Sequence, residues 1–155
     1  MKSFIAILLC LLVPSLAFAG DNGYKVIYDG GSLQSVKAGN KLQLLIEPTE
    51  VKLVQGKEEI ATIPAKSITE ISYGQDVHRR VGAAIGLAVV SLGVGALMAL
   101  TKSKKHYVGL TWADGDKKGG FAMQCDKNDY RGVLAGLEGI TGKKSVNSDA
   151  MTVKN

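Results

Sequence analysis

Few residues of this 155-residue chain have the type and spacing that chemistry requires. His78 and His106 bracket an uncharged stretch, and with Asp76 they would make a two-histidine, one-carboxylate donor set of the kind that holds zinc or iron. Their spacing is loose, solvated polar anchors are the simpler reading, and no metal is assigned. Cys125 is a nucleophile only with a base beside it and a lowered pKa; its place on an apolar strand face with Phe121 and Met123 makes it a packed thiol. Gly93-Val94-Gly95 opens like a dinucleotide fingerprint but lacks the third glycine and the preceding strand. No CxxC or HExxH occurs. With no positioned acid, base or nucleophile, the sequence predicts a non-enzymatic protein without a cofactor.

The charged residues point to a surface. The formal net charge is +5, and the basic clusters are Arg79-Arg80, Lys102 with Lys104 and Lys105, and Lys143-Lys144. Only Trp112 and a few tyrosines are available to stack on bases, so nucleic acid is not the expected partner. Anionic lipid headgroups suit clusters that border an apolar block.

The elements that would position these residues follow from where the apolar content sits. Overall 46% of residues are hydrophobic, but residues 1–19 and 81–100 each hold 15 of them, leaving a polar remainder of 116 residues. Met1–Gly20 has Lys2, an apolar core from Phe4 to Val13, Pro14 and then Ala17-Phe18-Ala19, the three-part layout of a secretory signal cleaved after Ala19. Removing it leaves Cys125 as the lone cysteine, so no internal disulfide is available.

From Tyr24 to Tyr73, short apolar runs alternate with turn residues. Tyr24–Tyr28, Leu33–Val36, Leu42–Ile46, Val51–Val54, Ile60–Ile63 and Ile68–Tyr73 read as six strands of an antiparallel meander, with a tight turn at Asp29-Gly30-Gly31-Ser32. After the apolar block, Val108, Leu110 and Trp112 share one strand face, Asp114–Lys118 is a turn, and Phe121, Met123 and Cys125 share the next face. The period then changes to 3.6. Tyr130, Val133, Leu134, Leu137 and Ile140 predict an amphipathic helix capped at Asp126 or Asn128 and stopped at Gly142. Residues 145–155 have little to bury and read as a disordered tail. The expected fold is mainly β (α+β): a small antiparallel half-open barrel or sandwich capped by one helix, with an apolar insertion before the last two strands.

Residues Lys41–Lys144 resemble a bacterial PH-like or GRAM-like domain. The matching stretches are Leu42-Gln43-Leu44-Leu45-Ile46 with Pro48-Thr49-Glu50-Val51, then Ile60–Pro64 with Ser67–Tyr73, and the late hairpin followed by the Tyr130–Ile140 helix. The chain is also similar to uncharacterised exported bacterial proteins with a Gly/Ala-rich insertion. The resemblance implies a non-catalytic binding or scaffolding module. It leaves the ligand open.

The insertion, Val81–Leu100, has no charge in 20 residues. As one helix it would be about 30 Å long, the thickness of a bilayer's hydrocarbon. A single span would place strands of one sheet on opposite sides of the membrane, where they cannot pair. The sequence therefore predicts an apolar helical hairpin bent near Ser91–Gly93, which either dips into a membrane or self-associates through Gly82 and Gly86. The expected membrane or oligomer contacts are Val81, Gly82, Ile85, Gly86, Val89, Leu92, Leu97 and Leu100. The expected headgroup contacts are Arg79, Arg80, Lys102, Lys104 and Lys105. The expected partners are membrane lipid, a second copy, or a protein bound by the β domain, at a periplasmic or envelope location.

Overall fold

The computed structural model describes residues 23–86 and 105–149. Alternating apolar residues build β1 (Tyr24–Gly31), β2 (Lys41–Ile46), β3 (Glu50–Gln55), β4 (Glu58–Pro64) and, after a 3-10 turn at Ala65–Ser67, β5 (Ile68–Tyr73). Helix α1 (Val77–Ile85) follows. The chain then resumes as β6 (His106–Asp114), β7 (Lys117–Cys125), helix α2 (Tyr130–Thr141) and a two-residue β8 (Val146–Asn147).

The strands lie in one open sheet, ordered β4-β3-β2-β1-β7-β6-β5-β8, rather than in a closed barrel. All neighbours pair antiparallel except β8, which runs parallel to β5 at Ser72↔Val146 and Tyr73↔Asn147. The pairing that joins the two halves is β1 with β7, in which Val26 lies opposite Cys125. The fold is thus mainly β, as expected, with a mixed sheet and two helices among the described residues.

The sheet is packed on both faces, and the pleat decides which residue serves which side. Val108 and Leu110 of β6, with Phe121, Met123 and Cys125 of β7, join Leu44, Val51, Leu53 and Ile71 in the main core. Helix α2 closes that core with Val133 and Leu137, both fully buried, and ends at Gly142 in the left-handed conformation. The interleaved residues Tyr107 and Ala122 face the other way and form a second cluster with Val77 and Val81 of α1. A sheet with both faces covered explains why β6 and β7 read as nearly unbroken buried runs.

Three expectations are corrected. Leu33–Val36 is a turn region and not a strand, because β1 runs on through Gly30 and Gly31 to pair with β7. The residues from Ser145 to Asp149 are not a free tail: Val146–Asn147 pairs with β5 and Ser148 is buried. The apolar block does not begin as an exposed hairpin, since its first five residues complete α1, which is docked on the sheet.

Candidate functional site

Helix α1 forms because Val77, Val81 and Ile85 recur every four residues, one stripe along a helix. The sheet beneath it carries Gly109, Gly120 and Ala122 beside Tyr107. Gly109 of β6 lies so close that a Cβ there would fall 2.5 Å from a Val77 methyl, 2.6 Å from Ser72 Oγ and 2.8 Å from a Val81 methyl. The glycine therefore sets how closely α1 approaches.

Polar contacts surround this small apolar cluster. A bulge in β1 between Tyr28 and Gly30 turns the buried Asp29 toward the helix, where its Oδ2 meets Nε2 of His78. The His78 ring sits edge-on to Tyr107, with centroids 5.3 Å apart. Burial, reinforced by the Asp29 charge, pushes the Tyr107 phenol up to about 12. On the opposite flank the Arg80 guanidinium grips Glu70 with both arms, Nη2 donating to Oε2 at 2.8 Å. A cleft of about 340 Å³ opens beside that pair, lined by Glu70, Asp76, Arg79, Arg80, Ala83, Ala84 and Ser148.

The two ends of the insertion are tied to this same region. Gln75, just before α1, donates from its side-chain amide to the Lys105 carbonyl at 2.6 Å, and Lys105 immediately precedes β6. The chain departs at Gly86, which closes α1 in the left-handed conformation. Gly86 lies eleven residues after Gln75, about 16 Å along the chain at helical rise. β5 and β6, which flank the insertion, pair directly through Tyr73↔Val108 and Ile71↔Leu110. Both ends of the 18 residues 87–104 therefore leave one folded unit, and a single crossing of a bilayer between them would force β5 and β6 to pair through lipid.

The expected contact residues divide accordingly. Val81 is 2% exposed and Gly82 is also buried, so both belong to the packing of α1 on the sheet and are unavailable to lipid or to a second copy. The left-handed turn at Gly86 ends the helix, so Gly82 and Gly86 do not make a continuous small-residue face. Ile85 is half-buried against the same cluster. Arg80 is committed to Glu70, whereas Arg79 is exposed and Lys105 half-exposed at the mouths of the insertion. Val89, Leu92, Leu97, Leu100, Lys102 and Lys104, with the Ser91–Gly93 bend and the secretory signal, lie outside the described residues.

The remaining chemical candidates are separated. His78 faces Asp29, while His106 stacks on Tyr130 with centroids 4.0 Å apart and rings 4° from parallel. Among the described residues no three His, Cys, Asp or Glu side chains converge as metal ligands. Cys125 is buried, and desolvation, helped by the Asp129 charge, pushes its thiol up to about 12, the opposite of an activated nucleophile. Lys143 is exposed, and Lys144 reaches Glu138 at 3.4 Å. Sequence reasoning missed Asp29, Glu70, Gln75 and Asp149. Asp29 was hidden in an apparent hairpin turn, and Asp149 carries no periodic signal at all.

No helix among the described residues is long and apolar enough to cross a membrane. The chain matches no protein-family model and no curated protein.

Proposed function

We propose that the protein is an exported, membrane-associated, non-enzymatic binding or scaffolding module with a PH-like domain. One observation carries the reading: the uncharged 14-residue stretch Leu87–Leu100 lies between α1 and Lys105, and Gln75, just before α1, is hydrogen-bonded to Lys105, so both flanks of the stretch belong to a single unit. Two antiparallel helical legs sit 8–10 Å apart, so the stretch can enter a bilayer and return without dividing the sheet. Exposed Arg79, half-exposed Lys105, and Lys102 and Lys104 in the sequence supply positive charge where the stretch meets headgroups. The antiparallel strands β1 to β4, the late hairpin and the helix on the main core support the PH-like part of the reading.

A non-catalytic role is supported by how the titratable groups are used. His78 with Asp29 and Arg80 with Glu70 fasten α1, and Cys125 is packing. Flotation of the full-length mature chain with vesicles tests the reading. The protein is expected to float with phosphatidylglycerol-containing vesicles, and a variant with 87–104 replaced by a Gly-Ser loop is expected to stay at the bottom with its circular dichroism intact. Wild-type protein left at the bottom of the gradient, or a loop variant that floats equally well, would overturn it.

A further inference from the structure

The five residues Ser145–Asp149 have no catalytic or core role, yet they are fastened at both ends. At one end Glu138 of α2 accepts from Ser145 twice, through the backbone amide at 2.8 Å and the hydroxyl at 2.6 Å. These two donors hold the Glu138 carboxyl below the usual carboxylate range. In the middle, β8 pairs with the last two residues of β5, and the buried Ser148 donates both its amide and its hydroxyl to the Tyr73 carbonyl, at 2.8 and 2.9 Å. At the far end Oδ1 of Asp149 accepts from the backbone amides of Gln75 and Asp76, at 2.6 and 3.2 Å.

Those amides belong to the residue before the helix cap and to the N-cap of α1, Asp76, so Asp149 grips the chain where it enters the helix. A carboxylate at that entrance also meets the positive end of the helix dipole. Gly74 makes room for the arrangement. A Cβ on it would fall 2.5 Å from Ser148 Oγ and 2.6 Å from Asp149 Oδ1.

We infer that Ser145–Asp149 is a latch that holds α1 on the sheet, so that this segment controls how readily α1 lifts away. The apolar seat of α1 is small, two buried valines and the half-buried Ile85 against Tyr107 and Ala122. A helix held by so few apolar groups opens independently of the strands, and its opening rate depends on its polar ties. Release would uncover Tyr107 and Ala122 and free Gly86 to move. This inference concerns the folded domain in solution and stands apart from membrane binding.

Hydrogen–deuterium exchange of the full-length mature chain without lipid tests it, using wild type, Asp149→Ala and a chain ending at Lys144. Losing two hydrogen bonds to a carboxylate should speed exchange of the α1 amides about tenfold or more while β6 and β7 stay as slow as before. If the shortened chain fails to fold, Asp149→Ala decides alone. Unchanged α1 exchange would overturn the latch. So would an increase shared equally by α1, β6 and β7, because the segment would then support the whole domain and not α1.

Discussion

Gly109→Ala measures how tightly α1 is seated. The substitution suits an extended strand, so its effect comes from space alone. The added carbon would lie 2.5 to 2.8 Å from two valine methyls and a serine oxygen, about 1 Å inside the usual 3.5–4.0 Å separation. Valine on a helix has essentially one side-chain rotamer, so Val77 and Val81 cannot swing aside and the helix itself has to move. Overpacking of this kind costs about 1–3 kcal/mol. Expelling α1 altogether would forfeit the burial of two valines, roughly 3–6 kcal/mol. A shifted helix is therefore cheaper than a lost one, and the expected destabilisation is about 2 kcal/mol, near 10 °C in midpoint for a domain of this size. Val77→Ala alone should also cost about 2 kcal/mol, through lost burial and a small cavity. Combined, the two should cost much less than their sum, since the new methyl occupies the space the valine vacates. Urea melts of the four proteins give the coupling energy, expected to favour the double variant by at least about 1 kcal/mol. A neutral Gly109→Ala, or additivity within about 0.5 kcal/mol, would refute the packing of α1 on this face.

Two further outcomes concern groups whose ionisation burial suppresses. Cys125, pushed from 9.0 up to about 12, should resist iodoacetamide at pH 8 in the folded protein and react fully in denaturant; labelling of the native protein at the denatured rate would contradict its burial. Tyr107 is raised from 10.0 to about 12, so its contribution to stability is complete below pH 10 and disappears as pH rises toward 12. Stability measured across that interval should fall less steeply in Tyr107→Phe, with the buried Tyr28, also shifted upward, accounting for part of what remains; an identical slope in both proteins would show that Tyr107 ionises as freely folded as unfolded.

Much of the sheet was legible because its signals are local. Alternation marked β2 to β5, the Asp114–Lys118 turn fixed the β6–β7 hairpin, and the change of period at Tyr130 announced α2. The α1 region was misread because its stripe straddles a compositional border. Val77 stands among His78, Arg79 and Arg80, while Val81 and Ile85 stand in the uncharged block, so a division drawn by charge cut one helix in two. Gly109 and Gly120 were a usable clue. Glycines inside apolar strands mark places where something approaches closely, here the Val81 side chain. The carboxylate of Asp29 was obscured because Asp-Gly-Gly is a turn signal in most settings, and only the long-range pairing with β7 converts it into a bulge. The Ser145–Asp149 segment could not be read, since apart from Glu138 its partners, Tyr73 and the residues leading into α1, are more than 70 residues away.

The pairing of β1 with β7 also constrains the order in which the molecule can be completed. Val26 meets Cys125 across the sheet, so the first strand to be synthesised waits with one edge bare for the last long strand. Loop-closure entropy rises slowly with length, but non-local pairing still delays folding. Every residue of the insertion lies inside the closing loop and emerges before its closing strand. Residues 87–104 are therefore synthesised while the β1 edge that β7 will cover is still open.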